Sequence, residues 1–410
     1  MRRTRPTGLA LGTALACLAA LAGCSSGANA GLPGTAASTS PVSAVASSSA
    51  PASVTPSASA GPTAGRSFSI VATGDVLLHP PLWTQARRDA VRTGSGTMDF
   101  AAMLAGVKPY VSGADLAICH LETPLAGTAG PFSGYPSFSG PPQVTSALKA
   151  TGYDVCSTAS NHTFDQGAAG IKRTLDSLDA AGIAHAGSAR TRSESRRITM
   201  VKANGVRVAF LSYAYGWNGN SYPGGDRWRA NVIDKAGILA DARRARADGA
   251  QVVILAMHWG TEYRQLPSAQ QLDLAPELAR SGVIDLIVSH HAHVVEPIQR
   301  IGKTWVVYGL GNLLADHSTP GQANQEGLLV RFTFTAGSGG RFTATKAEYV
   351  PLLMTKTAPL RLLDVRRSLQ TGSYGSSTRQ RLQAALRRTT RVVQSMDGVR
   401  HGLRAATLPK

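Results

Sequence analysis

Short polar motifs carrying Asp, Glu, Asn and His recur along one stretch of this chain: Gly74-Asp75, His120-Leu121-Glu122, Ser160-Asn161-His162, His258-Trp259-Gly260, His290-His291-Ala292-His293 and Gly311-Asn312. These side chains form the set that holds borderline divalent metals. A bridged pair of such ions makes a water nucleophile available at neutral pH and offsets negative charge in a transition state. Metal-dependent hydrolysis is therefore the chemistry the motifs point to. Taken singly, each has a plainer alternative. Asp75 after a glycine suits a turn, Asn161-His162 suits a helix cap, and His258 suits a satisfied core histidine. Three histidines within positions 290–293 are harder to assign to architecture alone.

The elements that would position these motifs follow from the apolar pattern. Residues 68–73, 115–121, 206–213, 251–257 and 284–288 read as strands, and all but 206–213 end at or just before a motif. Helical spacing covers 100–110, 168–181, 235–248 and 269–281 between them. Strand alternating with helix gives an α/β fold with helices on the faces of a sheet. In such sheets, ligands bind beyond the carboxyl ends of the strands. After His293 the pattern turns to hairpins over 294–301, 304–308, 328–335 and 342–350, so a second sheet stacked on the first is expected. Residues 67–359 are long enough for one large domain.

In order and spacing together, the motifs resemble those of CapA proteins, the capsule or poly-γ-glutamate synthesis family of the calcineurin-like metallophosphatase superfamily. The segments that carry the resemblance are Thr73-Gly74-Asp75, Leu121-Glu122-Thr123-Pro124, Ser160-Asn161-His162-Thr163-Phe164-Asp165-Gln166-Gly167, His258-Trp259-Gly260-Thr261-Glu262, His290-His291-Ala292-His293-Val294 and Tyr308-Gly309-Leu310-Gly311-Asn312. The resemblance implies a metallophosphatase-like α/β sandwich of two stacked mixed sheets flanked by helices. It also implies one or two divalent ions: Mn, Fe or Zn. On that basis Asp75 binds one metal and Glu122 bridges two. Asn161, His258 and His291 serve the second, His293 returns to the first, and His162 protonates the leaving group. Some positions depart from the family pattern. Val76 and Leu77 follow Asp75 where an Asp-x-His start is usual, with His79 a candidate stand-in. His120 stands where Asn is usual, Ser289 replaces a glycine and Ala292 a proline. His79, His120, His290 and Asn312 are candidates for further ligands or for residues that support the ligands.

Residues 1–23 read as a lipoprotein signal peptide: Arg2, Arg3 and Arg5, then an apolar run too short to span a bilayer comfortably, closing on Leu21-Ala22-Gly23-Cys24. That junction resembles the lipobox, so Cys24 is the expected lipidation site on the outer face of the cytoplasmic membrane. Residues 24–66 are rich in Ser, Ala and Pro and are expected to be a disordered tether. Of the remaining cysteines in the exported part, Cys119 and Cys156 are expected as buried free thiols, with a bridge between neighbouring strands as the alternative.

The net charge is +18, and residues 361–410 hold eleven Lys or Arg against Asp364 and Asp397. This segment, 360–410, is expected to be a basic and largely helical extension, with an amphipathic helix over 378–396 that either packs on the domain or meets an anionic surface. No aromatic-interleaved basic motif supports a nucleic-acid partner. The expected partners are an anionic envelope polymer and, through the lipid anchor, the membrane. Two functions fit: a surface metallohydrolase acting on an envelope or capsule polymer at a phosphoester or poly-γ-glutamate-type amide, or a non-catalytic accessory protein that tethers such a polymer.

Overall fold

A computed structural model describes residues 65–317, 321 and 323–407. The expected signal peptide, Cys24 and the tether up to residue 64 lie outside the described residues. Among the described residues the strands are β1 (Ser67–Val76), β2 (Leu116–Leu121), β3 (Val155–Ser157), β4 (Ala184–Ala186), β5 (Thr199–Ala203), β6 (Val206–Ala214), β7 (Val252–Trp259), β8 (Leu286–His291), β9 (Ile298–Ile301), β10 (Thr304–Val307), β11 (Asn312–Leu314), β12 (Glu326–Ala336), β13 (Phe342–Met354), β14 (Leu362–Asp364) and β15 (Leu403–Ala405). They build two mixed sheets. One has nine strands along the path β14-β13-β12-β1-β2-β3-β4, with β11 against β1 and β15 against β13; the other runs β5-β6-β7-β8-β10-β9.

Alternation along β1 shows how the layers arise. Phe68, Ile70 and Ala72 point into an interior shared with Val208 and Phe210 of β6, Ile254 of β7 and Val288 of β8, so this core lies between the sheets. Val71 points the other way, into a core under helices Pro80–Thr93, Gln143–Thr151 and Gly167–Ala180. The outer face of the second sheet (Leu211, Val253, Leu255) packs on Ile238 and Ala242 of helix Lys235–Ala247 and on Ala275 and Leu278 of helix Ala269–Arg280. The result is an α/β sandwich of two stacked mixed sheets flanked by helices. Both faces of each central strand are covered, which is why those strands read as unbroken apolar runs.

Several elements differ from the sequence reading. Strands before and after His293 do not sort into separate sheets: β1 to β4 join the later hairpin β12–β13, whereas β5 to β8 join β9 and β10. Residues 100–110 are not one helix but a 3₁₀ turn Ala101–Leu104 and a single turn Lys108–Val111. Gly106 lies between them where a Cβ would meet the Leu362 carbonyl oxygen at 2.2 Å, so the chain passes too close to β14 for a continuous helix. The segment after residue 359 is also woven into the body, since it supplies β14 and β15 to the nine-stranded sheet. Its helix Ser376–Val393 buries Leu382, Ala385, Thr389 and Val393. Finally, Cys119 and Cys156 are not free thiols. They are register partners on β2 and β3, with Cα atoms 4.5 Å apart, and form a disulfide.

Candidate metal centre

Strand register assembles the site. On parallel β1 and β2, Asp75 lies beside His120, and β11 places Asn312 on the other side of Asp75. On parallel β7 and β8, His258 lies beside His290 and Trp259 beside His291. The carboxyl ends of both sheets thus open on one edge, where strand ends carry ligands in folds of this type. Close approach of backbone allows it. A Cβ on Gly74 would sit 2.0 Å from the Gly311 carbonyl oxygen, which accepts a hydrogen bond from the Asp75 N–H at 2.9 Å. Only glycine tolerates that contact.

Asp75 is fully buried and already engaged. Its Oδ1 accepts from His290 Nδ1 at 2.8 Å, and its Oδ2 accepts from the His291 backbone N–H at 3.3 Å and faces His293 Nδ1 at 3.2 Å. Burial alone would raise this carboxyl, but the His290 and His293 hydrogen bonds and the charge of His290 and His120 hold it well below its ordinary value. Because His290 donates through Nδ1, its Nε2 carries the lone pair, and that atom has no partner. Asn312 turns its amide nitrogen to the carbonyls of Asn324 (2.9 Å) and His293 (3.3 Å), so its Oδ1 faces His293 Nδ1 at 3.1 Å. That arrangement leaves His293 Nε2 toward Glu122 Oε1, 3.6 Å away.

A second line of contacts fixes His258. Asn161 donates its amide N–H to Asn218 Oδ1 at 3.2 Å, so its Oδ1 accepts from His258 Nε2 at 2.8 Å. His258 Nδ1 meets His120 Nε2 at 3.0 Å, and His120 Nδ1 meets Ser157 Oγ at 2.8 Å. Both ring nitrogens of His120 are therefore used within the protein, and its ring stacks on His290 with centroids 4.1 Å apart. His120 orients the neighbouring histidines. Burial and the charge of nearby histidines push His258, His120 and His291 down, His291 to about 3, so these rings are neutral at neutral pH, and of them His291 keeps an unpartnered Nδ1. His293 runs the other way. Burial opposes its charge, but Glu122 and Asp75 raise it to about 9.

Glu122 decides whether the set fits a metal. It is 1% exposed, and neither carboxylate oxygen has a hydrogen-bond partner. Burial pushes its pKa well above the usual carboxylate range. A buried, undonated carboxylate costs several kcal/mol unless a cation meets it. Its Oε1 lies 3.6 Å from His293 Nε2 and 3.9 Å from His258 Nε2, between the two histidine lines. His290 Nε2 and His291 Nδ1 are likewise buried and unpartnered. Ligand atoms of Asp75, Glu122 and His293 come within 4.8 Å of one another, as do those of Asp75, His120 and His290. This cluster suits divalent metal binding. His291 and His293 also hold positive φ, 92° and 56°, in a region that costs non-glycine residues on the order of 1–3 kcal/mol and that concentrates at functional sites.

Beside the cluster opens a cavity of about 700 Å³ lined by His79, Phe138, His162, Tyr263, His293 and His317, among others. Asp165 Oδ2 holds His162 Nδ1 at 2.8 Å, leaving Nε2 free for proton transfer. His79 belongs to neither donor group, and its Nδ1 accepts from the Asp316 backbone N–H at 3.2 Å. His317, which belongs to none of the sequence motifs, lies 4.6 Å from the His293 ring and 4.7 Å from that of His79. Its position just past β11, a strand that starts at Asn312, was the signal that could have marked it. Trp217 and Tyr222 anchor their loop on Phe164 (4.7 and 5.4 Å), while Asn218 and Asn220 of the same loop line the cavity.

Comparison with known proteins completes the description. Residues 69–317 match the family described as "Bacterial capsule synthesis protein PGA_cap". The chain is 30% identical over 179 residues to the capsule biosynthesis protein CapA of Bacillus anthracis, covering 42% of this chain and 43% of that one. It is 29% identical over 202 residues to the PGA biosynthesis protein CapA of Bacillus subtilis (strain 168), covering 49% and 52%. The match thus spans about half the length of these relatives. Among solved structures, the calcineurin-like phosphoesterase YfkN from Bacillus subtilis aligns with a TM-score of 0.41 at 15% identity, covering 80% of this chain and 99% of that one. A phosphatase from Mycoplasma pneumoniae aligns with a TM-score of 0.42 at 11% identity, covering 70% and 94%. Likeness at that level carries no part of the functional reading.

Proposed function

The chain belongs to the bacterial capsule synthesis protein family PGA_cap, and from that premise we propose that it is a metal-dependent hydrolase of the cell surface acting on an envelope or capsule polymer. The observation that carries this reading is the buried Glu122 carboxylate, which no donor meets and whose Oε1 lies 3.6 Å from His293 Nε2 and 3.9 Å from His258 Nε2. Asp75, Glu122 and His293 would hold one divalent ion; Asn161, His258 and His291, with Glu122 between the groups, would hold a second. When bound, such ions supply Lewis acidity and an activated water at neutral pH.

The chain's own residues supply the rest. Asn312 holds the His293 ring through Nδ1, and the Ser157–His120 line holds that of His258. His162, oriented by Asp165, sits on the cavity wall, where it can pass a proton to a leaving group. The bond cleaved would be a phosphoester or a poly-γ-glutamate-type amide. Elemental analysis after metal supplementation, followed by hydrolysis assays on a generic phosphodiester, a phosphomonoester and poly-γ-glutamate, tests this reading. Absence of bound metal would reject it.

One observation favours the second reading, a non-catalytic accessory protein that tethers anionic polymer: both Asp75 oxygens already face protein donors. Bound metal with no turnover on any of the three substrates selects it. For location, we propose that the mature protein begins at lipid-modified Cys24, because Leu-Ala-Gly-Cys resembles a lipobox. Cys24→Ala should release the protein into the medium or leave it unprocessed, as read by membrane fractionation.

A further inference from the structure

The basic C-terminal helix faces a cleft of about 290 Å³ lined by Gln265, Ala384, Arg387, Arg388, Arg391 and Val392. Arg388 is committed to the fold, since it grips the buried Glu326 carboxylate through Nε at 2.9 and 3.0 Å and through Nη2 at 2.6 Å. Arg387 and Arg391 are exposed and form no ion pair among the described residues; the same holds for Arg264, next to Gln265.

The opposite wall of the cleft is the loop that also lines the metal-side cavity. Glu262 and Tyr263 face that cavity. Two residues on, Gln265 lies in the arginine cleft and donates to the Val295 carbonyl at 3.5 Å, just past His293. On the other side, Glu326, which Arg388 holds, is followed by Gly327, bridged to Gly311 beside Asn312. The arginine cleft and the histidine cluster are thus two sides of one short loop.

We propose that this cleft docks a linear polycarboxylate and feeds it along the loop to the cluster; this rests on the polymer reading above. Arg387 and Arg391 are one helical turn apart, so their guanidinium groups offer evenly spaced charges. A membrane surface is a poorer occupant. The helix spends Leu382, Ala385 and Val393 on the protein core, and its other apolar residues, Ala384, Leu386 and Val392, are half-buried, so it presents no exposed apolar face to a bilayer. Nucleic acid is poorer too, because the helix carries no aromatic residue on which a base could stack.

The test is titration of the full chain with fluorescently labelled poly-γ-glutamate at low and at physiological salt. The R387Q/R391Q double variant should bind about tenfold more weakly at low salt and show a shallower salt dependence, as expected for two lost exposed charge contacts. R87Q/R88Q, which removes equal charge from the exposed side of helix Pro80–Thr93, should bind like the wild type. Should R387Q/R391Q melt early, R391Q alone should still bind about threefold more weakly. Equal loss in the two double variants, or no loss in either, overturns the docking site while leaving polymer recognition intact. No binding by the wild type at low salt removes the polymer reading itself, and this proposal with it.

Discussion

Four glutamates, each no more than 1% exposed, meet three different fates in this molecule. On β13, Glu348 is met by Arg331 and Lys346, each at 2.9 Å, and Glu326 on β12 is gripped by Arg388. Under helix Ala269–Arg280, Glu296 accepts from Gln271 at 3.0 Å and has no cation; burial pushes its carboxyl up to about 8, so it is held neutral. At the strand ends Glu122 has no hydrogen-bond donor among the described residues, and the His293 ring stands 3.6 Å away, beyond hydrogen-bonding distance. Where the fold needs only architecture, it supplies the counter-charge or a hydrogen bond from its own residues. At Glu122 it supplies no hydrogen bond and only a histidine at 3.6 Å, an environment that suits a cation from solution.

The most disruptive way to probe this contrast is Glu122→Ala. It should lower metal stoichiometry, measured by elemental analysis, and remove the rise in melting temperature that divalent ions give the wild type. His162→Ala should keep the metal and slow any turnover roughly 10²- to 10⁴-fold, the ordinary contribution of a general acid. Full metal content in Glu122→Ala would end the comparison. Next in size, Glu348→Gln strands Arg331 and Lys346 and should cost about 3 kcal/mol in urea unfolding.

Glu296 should give a pH signature. The unfolded carboxyl ionises above about 4.5, whereas the folded one stays protonated to about 8. The unfolded state therefore binds fewer protons in that window, and stability falls as pH rises, by at most about 1.4 kcal/mol per unit. Glu296→Gln should flatten that slope in melts between pH 5 and 8. Smaller still, Glu122→Gln in metal-free protein should raise stability by about 1 kcal/mol, opposite in sign to Glu348→Gln, because it removes a carboxyl whose ionised form burial disfavours. The exposed Lys235–Glu277 pair sets the floor: Glu277→Gln should change stability by less than about 0.5 kcal/mol.

Much of the site was legible because its residues are strand ends. A run such as 251–257 followed by His258 fixes both element and direction, and parallel pairing then brings His258 beside His290 whatever the remaining topology. The sheet that a strand joins was not legible. β1 and β6 carry the same apolar pattern, yet β1 pairs with a strand at 329–335 and β6 with the adjacent strand at 199–203, a choice local sequence does not encode. Residues 100–110 misled because apolar spacing fits a helix there, while the obstacle, the Leu362 carbonyl against Gly106, is tertiary. His317 was only weakly marked, by its place just past the strand that starts at Asn312, since nothing near it in sequence announces His293 and His79 as neighbours.

The Cys119–Cys156 bridge lies immediately before His120 and Ser157, the pair whose hydrogen bond orients His258. It closes a separation of 37 residues, worth about 4 kcal/mol on a chain-entropy account. Thiol reductants therefore act on the same strand pair that aligns the histidines. A buffer containing dithiothreitol would loosen that alignment without removing a single ligand, and would be mistaken for a chelator. In the reducing interior of a cell the same chain would lack the clamp, so the compartment in which it folds is part of what sets the site.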